Sequence, residues 1–114
     1  MEKFLEQTLL YDFYGELLTE HQKRIYEQFS SEDLSLSEIA EDEGISRQGV
    51  HDLIKRCNKS LEEYENKLHL VSKFLSIKEK VHRMDVLLET HDSSNTDDLL
   101  SHIRRMADEI IEEL

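Results

Sequence analysis

No proline interrupts this chain of 114 residues, and it contains only three glycines. Proline and glycine mark many tight turns and helix ends, and a β-sandwich or barrel needs such turns at short intervals. Apolar residues also recur through most of the sequence at spacings of three and four, which is the pattern of an amphipathic helix. The sequence therefore predicts an all-α fold with few connections.

Serine and threonine residues mark where helices begin, because their hydroxyl groups accept hydrogen bonds from the free N–H groups of a first helical turn. Glycine marks a helix end, since it readily takes the left-handed conformation that closes many helices. On this basis Gly44 ends a short third helix. The predicted N-caps are Thr19, either Ser35 or Ser37, Ser46 and Thr96.

Three apolar stripes organise the second half of the chain. The first covers residues 50–75 with gaps of alternately four and three residues, which is heptad spacing. The second, residues 74–88, is out of step with the first, so we predict a break between two helices near residues 70–75. The third, residues 99–114, is predicted to fold back on the second as an antiparallel hairpin.

These patterns divide the chain into two predicted domains. Residues 1–70 form a helical domain with a helix-turn-helix at residues 36–56, and residues 71–114 form a helical extension. Part of the segment 64–75 lacks an obvious covering element, and contiguous exposed apolar surface usually marks an interface. Because two-fold dimers are the commonest oligomers, we predict that the extension builds a homodimer. The rival is a monomer whose last helix covers that segment.

The most specific motif is the stretch LSEIAEDEGISRQGVHDLIK, which begins at Leu36. A helix-turn-helix needs a small residue where its two helices cross and a left-handed residue in its turn. Ala40 and Gly44 meet these two needs. Apolar residues must then anchor the second helix on the first, and those at suitable positions are Ile45, Val50 and Leu53, with Ile39 opposite.

The second helix of this motif leaves a polar face for contact with a ligand. In a recognition helix the N-terminal residues meet base edges, where arginine pairs well with guanine and glutamine with adenine. Basic residues farther along such a helix contact phosphates. The alternative is a solvated face on a purely structural element. The candidate DNA-binding residues are Ser46, Arg47, Gln48, His51, Asp52, Lys55, Arg56 and Lys59.

The wider stretch LTEHQKRIYEQFSSEDLSLSEIAEDEGISRQGVHDLIKR resembles region 4 of bacterial sigma factors, which reads the promoter −35 element. Over essentially its whole length the chain is similar to the small YlxM-type family of helix-turn-helix DNA-binding proteins, which are encoded beside signal recognition particle genes. The resemblance implies a sigma-region-4-like helical domain and a regulatory role in the signal recognition particle pathway. Gly49 departs from that pattern, because a better helix former is expected inside a recognition helix.

The charge distribution limits where DNA can be bound. A net charge of −12 is unfavourable for nucleic acid, but residues 46–83 carry nine basic and five acidic side chains between two acidic ends. A DNA contact therefore has to lie in that middle segment. The acidic surface and the amphipathic helices beyond residue 70 favour an alternative function, a protein-interaction adaptor for signal recognition particle or transcription components.

No pattern in the sequence indicates an enzyme, a cofactor or a metal site. The six histidines are not spaced as metal ligands, and there is no glycine-rich phosphate loop. Cys57 lies on an apolar stripe, where a buried thiol acts as a small hydrophobic residue. A single cysteine, no signal-peptide core and no apolar run near ~20 residues lead us to expect a cytoplasmic protein without membrane insertion.

Overall fold

The computed structural model describes residues 3–114, and this part of the chain is almost entirely helical, without any β-strand. Its helices are α1 (Lys3–Tyr14), α2 (Glu20–Ser30), α3 (Leu36–Glu43), α4 (Arg47–Leu68), α5 (Leu70–Glu89) and α6 (Thr96–Glu113), with single 3-10 turns at Gly15–Leu17 and Ser93–Asn95. The predicted all-α fold is confirmed. Residues 1 and 2 of the predicted first domain lie outside the described range. Within that range, no helix has both the length and the apolar character needed to cross a membrane.

Reciprocal hydrogen bonds at the starts of α2 and α3 confirm two predicted caps. The Thr19 hydroxyl accepts a bond from the Gln22 N–H at 3.2 Å, and the Gln22 side chain accepts from the Thr19 N–H at 3.0 Å. Ser35 forms the same pair of bonds with Glu38. Of the two serines considered for α3, the cap is therefore Ser35 and not Ser37.

The predicted cap at Thr96 is wrong. Thr96 is the first helical residue of α6, and Asn95 before it makes no side-chain capping bond. The chain enters α6 through the 3-10 turn Ser93–Asn95, and Asp92 caps this turn by accepting a bond from the Ser94 N–H at 2.9 Å. Capping chemistry is therefore present, but it acts one turn earlier than the sequence pattern suggested.

The described residues form two compact units, one ending at His69 and the other beginning at Leu70. In the first unit, α4 packs against α1, α2 and α3. The largest fully buried side chains of this unit come from all four helices and are Tyr14, Ile25, Ile39, Val50, Cys57 and Leu61. The helix that carries the predicted DNA-binding residues is thus also the one on which the other three pack.

Two tyrosine hydroxyls tie the outer helices of this unit to α4. Tyr14 donates to Glu65 Oε1 at 2.6 Å, and Tyr26 donates to Asn58 Oδ1 at 2.8 Å. The ring of Tyr26 also stacks on that of Tyr11, with 5.1 Å between the ring centroids. Directional bonds of this kind hold α1 and α2 in one position along α4, which apolar packing alone does not specify.

Three of the four residues predicted to anchor the helix-turn-helix do so. Ile39 and Val50 are fully buried and Leu53 is half-buried, whereas Ile45 is 38% exposed. Ile45 therefore anchors α4 less fully than the other three residues. It lies in the turn between α3 and α4, before the cap of α4, so it does not share the buried face of that helix.

The chain breaks between α4 and α5 at His69, whose backbone is left-handed with φ 57°. Its N–H closes the end of α4 on the Glu65 carbonyl at 2.9 Å. The predicted break is confirmed, but it lies one residue before the predicted window of 70–75. Histidine is among the few residues enriched in this conformation. The heptad spacing, however, continues through Leu68 and Val71 and gives no sign of the break at His69.

In the second unit, α5 and α6 form the predicted antiparallel hairpin. Ser76 Oγ and Lys80 Nζ of α5 donate to Glu113 Oε1 at the end of α6, at 2.6 and 2.8 Å. The bond from Lys80 holds the pKa of the Glu113 carboxyl below its usual range. Farther along the hairpin, Leu87 and the buried Met106 line one small cavity.

Candidate nucleic-acid interface

Helices α3 and α4 form the helix-turn-helix, separated by the three residues Gly44, Ile45 and Ser46. Gly44 ends α3 in a left-handed conformation with φ 69°, which glycine adopts without a steric penalty. At the other end of the turn, the Ser46 hydroxyl accepts a bond from the Gly49 N–H at 2.9 Å. The turn is therefore fixed at both ends, and it sets where α4 begins.

Gly49, which departs from the expected pattern, lies in the first turn of α4. A Cβ at this position would lie 3.1 Å from the Ser46 hydroxyl oxygen that accepts the Gly49 N–H. That separation is shorter than ordinary van der Waals contact. The turn is helical despite the low helix propensity of glycine, because the cap bond from Ser46 supports it.

All eight predicted DNA-binding residues have exposed side chains. By contrast Val50, Ile54 and Cys57, which follow one another at spacings of four and three residues, are buried and form the packed stripe of α4. Among the described residues, no carboxylate forms an ion pair with Arg47, Lys55, Arg56 or Lys59. These four cationic groups are therefore open to an anionic ligand.

Asp52 lies between these residues and holds one of them. Its Oδ1 accepts a bond from Gln48 Nε2 at 3.0 Å and lies 3.7 Å from His51 Nδ1. One of the two N–H groups of the Gln48 amide is therefore already used by Asp52. Sequence reasoning missed this bond, although glutamine and aspartate four residues apart on a helix are a known hydrogen-bonding pair.

A groove of about 580 Å³ runs beside this part of α4. Its lining combines three basic side chains with two carboxylates, so the basic surface is interrupted and not continuous. Sequence reasoning also missed Gln7 and Asn58 as lining residues, because no periodicity shows which residue of α1 lies beside α4. The lining residues are Gln7, Asp52, Lys55, Arg56, Asn58, Lys59 and Glu62.

An ion pair between α2 and α3 stabilises the helix-turn-helix. Arg24 of α2 donates from Nε and Nη2 to the two carboxylate oxygens of Glu43, at 3.0 and 2.7 Å. The Arg24 hydrogen bonds hold the pKa of the Glu43 carboxyl below its usual range, and His21 Nε2 lies 3.5 Å from the same carboxylate. Because Glu43 is the last residue of α3, the pair fixes α3 directly before the turn.

Similarity to a known protein family agrees with the helix-turn-helix. Residues 1–103 match the model of the UPF0122 family, described as "Putative helix-turn-helix protein, YlxM / p13 like". The chain belongs to this family. The YlxM-type resemblance read from the sequence is thereby confirmed, and the UPF0122 description agrees with the motif at residues 36–56. The description names a helix-turn-helix protein and no enzyme.

UPF0122 relatives align over most of the chain. A UPF0122 protein of Clostridium perfringens is 43% identical over 117 residues, covering 100% of this chain and 97% of the relative. One of Desulforamulus reducens is 40% identical over 112 residues, covering 98% and 96%. One of Caldanaerobacter subterraneus is 51% identical over 83 residues, covering 73% and 71%. Similarity to these proteins therefore extends over both units of the fold.

Replacing Arg24 by glutamine in this UPF0122 protein is expected to lower the urea midpoint of the first unit near neutral pH but not in acid. A carboxyl whose pKa is lowered on folding adds stability above its ordinary pKa, and this is lost as the pH falls through the lowered value. The difference from wild type should therefore shrink between about pH 6 and about pH 3.

Tyrosine fluorescence measures this effect on the first unit alone, because all four tyrosines precede His69 and the chain has no tryptophan. Arg47→Gln is the matched control, since Arg47 has no ion pair among the described residues. It should show no such dependence on pH. If the urea midpoint of Arg24→Gln stayed equally far below that of the wild-type protein at acid pH, the assigned role of the Arg24–Glu43 ion pair would be contradicted.

Proposed function

We propose that this protein is a DNA-binding regulatory protein that reads DNA with the first half of α4. The observation that carries the proposal is the helix-turn-helix, in which a capped α4 follows a braced α3 and exposes all eight candidate residues. Recognition helices use their N-terminal residues to reach base edges. Arg47 is the first residue of α4, and its guanidinium has no carboxylate partner within the described part of the chain.

In this proposal the candidate residues have three tasks. Arg47 and Gln48 read bases, with arginine suited to guanine and glutamine to adenine. The basic residues farther along α4 contact phosphates, which position a protein on DNA without carrying sequence information; they are Lys55, Arg56 and Lys59. The remaining residues cap α4 or lie beside Gln48 and are Ser46, His51 and Asp52.

The net charge of −12 makes a single copy a weak ligand for DNA, because one subunit offers few phosphate contacts. We therefore propose that the protein binds as a homodimer, which presents two recognition helices to two half-sites. Residues 1–70 then read DNA and residues 71–114 join the two copies. A cytoplasmic role in the signal recognition particle pathway is part of this proposal, and its support is the family resemblance.

The carboxylates in the α4 groove favour a second candidate function, a protein-interaction adaptor. Asp52 and Glu62 share the groove with the lysines, where they would repel phosphate groups. A mixed acidic and basic surface suits a protein partner with complementary charges. That partner would be a component of the signal recognition particle or of the transcription machinery, bound without sequence-specific contact to DNA.

A binding titration separates the two functions. DNA fragments from upstream of the genes that neighbour its own are titrated with the protein at low and moderate salt, beside unrelated DNA of equal length. We expect tighter binding to at least one upstream fragment. No binding at micromolar protein in low salt overturns the DNA proposal, and recovery of a signal recognition particle or transcription component in a pull-down would then favour the adaptor.

Replacing Arg47 by alanine is expected to reduce discrimination between specific and unrelated DNA. A good bidentate base contact is worth about 1–3 kcal/mol, which corresponds to a loss of preference of about 5- to 150-fold for each recognition helix that contacts a half-site. Gln48→Ala should act in the same direction. The control is Arg105→Ala on α6, which removes an equal charge outside the candidate site. Unchanged affinity and discrimination in Arg47→Ala would show that Arg47 does not read DNA.

A further inference from the structure

The hairpin of α5 and α6 exposes more apolar surface than its fold requires. Sequence analysis placed uncovered surface at residues 64–75, and within that segment Leu68, Leu70 and Phe74 are between 39% and 48% exposed, whereas Val71 is buried and Tyr64 is half-buried. The most exposed large apolar side chains of the hairpin, between 51% and 86%, are Val81 and Leu88 on α5, Leu100 and Ile111 on α6, and Leu114 directly after α6. We call these five the hairpin face.

The hairpin face follows heptad spacing in both helices. On α5, Val81 and Leu88 lie seven residues apart with the half-buried Met84 between them. Leu100 of α6 and Leu114 directly after it are two heptads apart, and Ile111 lies beside Leu114. Apolar residues at such intervals form a straight seam along a helix, and this is how helices pack in coiled coils and four-helix bundles.

The contacts within the hairpin show that the two seams lie on one side. Lys80 of α5 contacts Glu113 of α6, and each is followed directly by a residue of the hairpin face, Val81 and Leu114. One residue along a helix is a rotation of about 100°. Val81 and Leu114 are therefore each rotated by this angle from the contact between the two helices. Because the helices are antiparallel, the two rotations place both seams on the same side of the hairpin. The result is a single two-helix apolar surface.

The area of the hairpin face suits a protein interface. Each of the five residues is more than half exposed, so together they offer on the order of 500 Å² of apolar surface per copy. That is near the upper end for apolar patches on monomers. With its half-buried neighbours and a polar rim, the surface approaches the roughly 800 Å² that each partner contributes to a stable complex.

We propose that a second copy of this chain covers the hairpin face, so that two hairpins join as a four-helix bundle. Helix α5 carries four Lys or Arg against three Asp or Glu, whereas α6 carries two against six. A two-fold axis that sets α5 of one copy beside α6 of the other brings unlike charges together along both flanks. Lys80 and Glu113 already make this pairing within one copy. The inference rests on the proposed dimer and names its interface.

Sedimentation equilibrium tests this interface. The wild-type protein should have a mass of about 27 kDa, twice the 13.5 kDa of the chain. Val81→Glu places a charge in the face and should give the single-chain mass at the same concentration, with its helix content by circular dichroism unchanged. Leu100→Glu on α6 should do the same, which guards against a local effect on α5.

Val86→Glu is the matched control. Val86 is on α5 and is 41% exposed, against 51% for Val81. It directly precedes Leu87, which contacts α6, so it lies on the side of the hairpin opposite to Val81. It should remain a dimer. A wild-type mass of 13.5 kDa at every concentration overturns the proposal, and so does dissociation by Val86→Glu but not by Val81→Glu. Because the mass is measured in the absence of DNA, this experiment tests the dimer interface independently of DNA binding.

Discussion

Replacing Leu61 by alanine is expected to lower the free energy of unfolding of the first unit by about 2–5 kcal/mol. Leu61 is fully buried at the centre of α4, among side chains from the helices that pack on it. The substitution removes buried methyl groups and leaves a cavity that close-packed neighbours fill only in part. Urea denaturation followed by tyrosine fluorescence at one protein concentration measures the loss.

Leu68→Ala provides the comparison within the same helix. Leu68 is 48% exposed, so the same change removes fewer buried contacts and should cost less than about 1 kcal/mol. Equal losses at the two positions would mean that Leu61 does not lie in the core of this unit. A loss in Leu61→Ala with a changed denaturant slope would point instead to an altered unfolded state.

The double variant Lys55→Ala with Lys59→Ala is expected to weaken DNA binding by on the order of 100-fold at low salt. If the protein binds as a dimer, the variant removes four phosphate contacts. Each such contact contributes about one unit to the slope of log affinity against log salt, so that slope should become about four units shallower. Discrimination between sequences should stay unchanged, because phosphate contacts carry no sequence information.

Lys67→Ala with Lys73→Ala controls for overall charge. It removes the same two charges per copy from positions outside the candidate site, where both side chains are exposed. Its salt slope should match that of the wild-type protein. Equal weakening by the two double variants would mean that net charge and not the α4 surface governs binding, and the assignment of Lys55 and Lys59 to phosphates would be wrong.

Local chemistry explains which parts of the fold could be predicted. Thr19, Ser35 and Gly44 act through bonds and dihedral angles that involve residues within four positions, so a short stretch of sequence contains all the necessary information. The exact break between α4 and α5 could not be predicted in this way. His69 takes a left-handed conformation although the residues around it suit a continuous helix, and Thr96 lost the capping role to Asp92 in a turn that periodicity does not reveal.

The candidate site was predictable as a surface but not as a set of contacts. Helical periodicity separates most of the eight exposed residues from the buried stripe of α4, and Ser46 and Arg47 are exposed because they lie at the start of the helix. What it cannot supply is the state of each side chain, since Gln48 is held by Asp52 and the groove is completed by Gln7 from α1. These depend on rotamers and on tertiary packing, which are set by residues distant in sequence.

The burial of Cys57 has a practical consequence for labelling. It is the only cysteine of the chain, it is fully enclosed in the core of the first unit, and burial raises the pKa of its thiol. Because the thiolate is the reactive form, Cys57 should react slowly with alkylating probes while the protein is folded. A thiol introduced by Gln48→Cys or Val86→Cys would then be modified selectively in the native state. A fluorophore or spin label can thus be attached at either surface without removing the native cysteine.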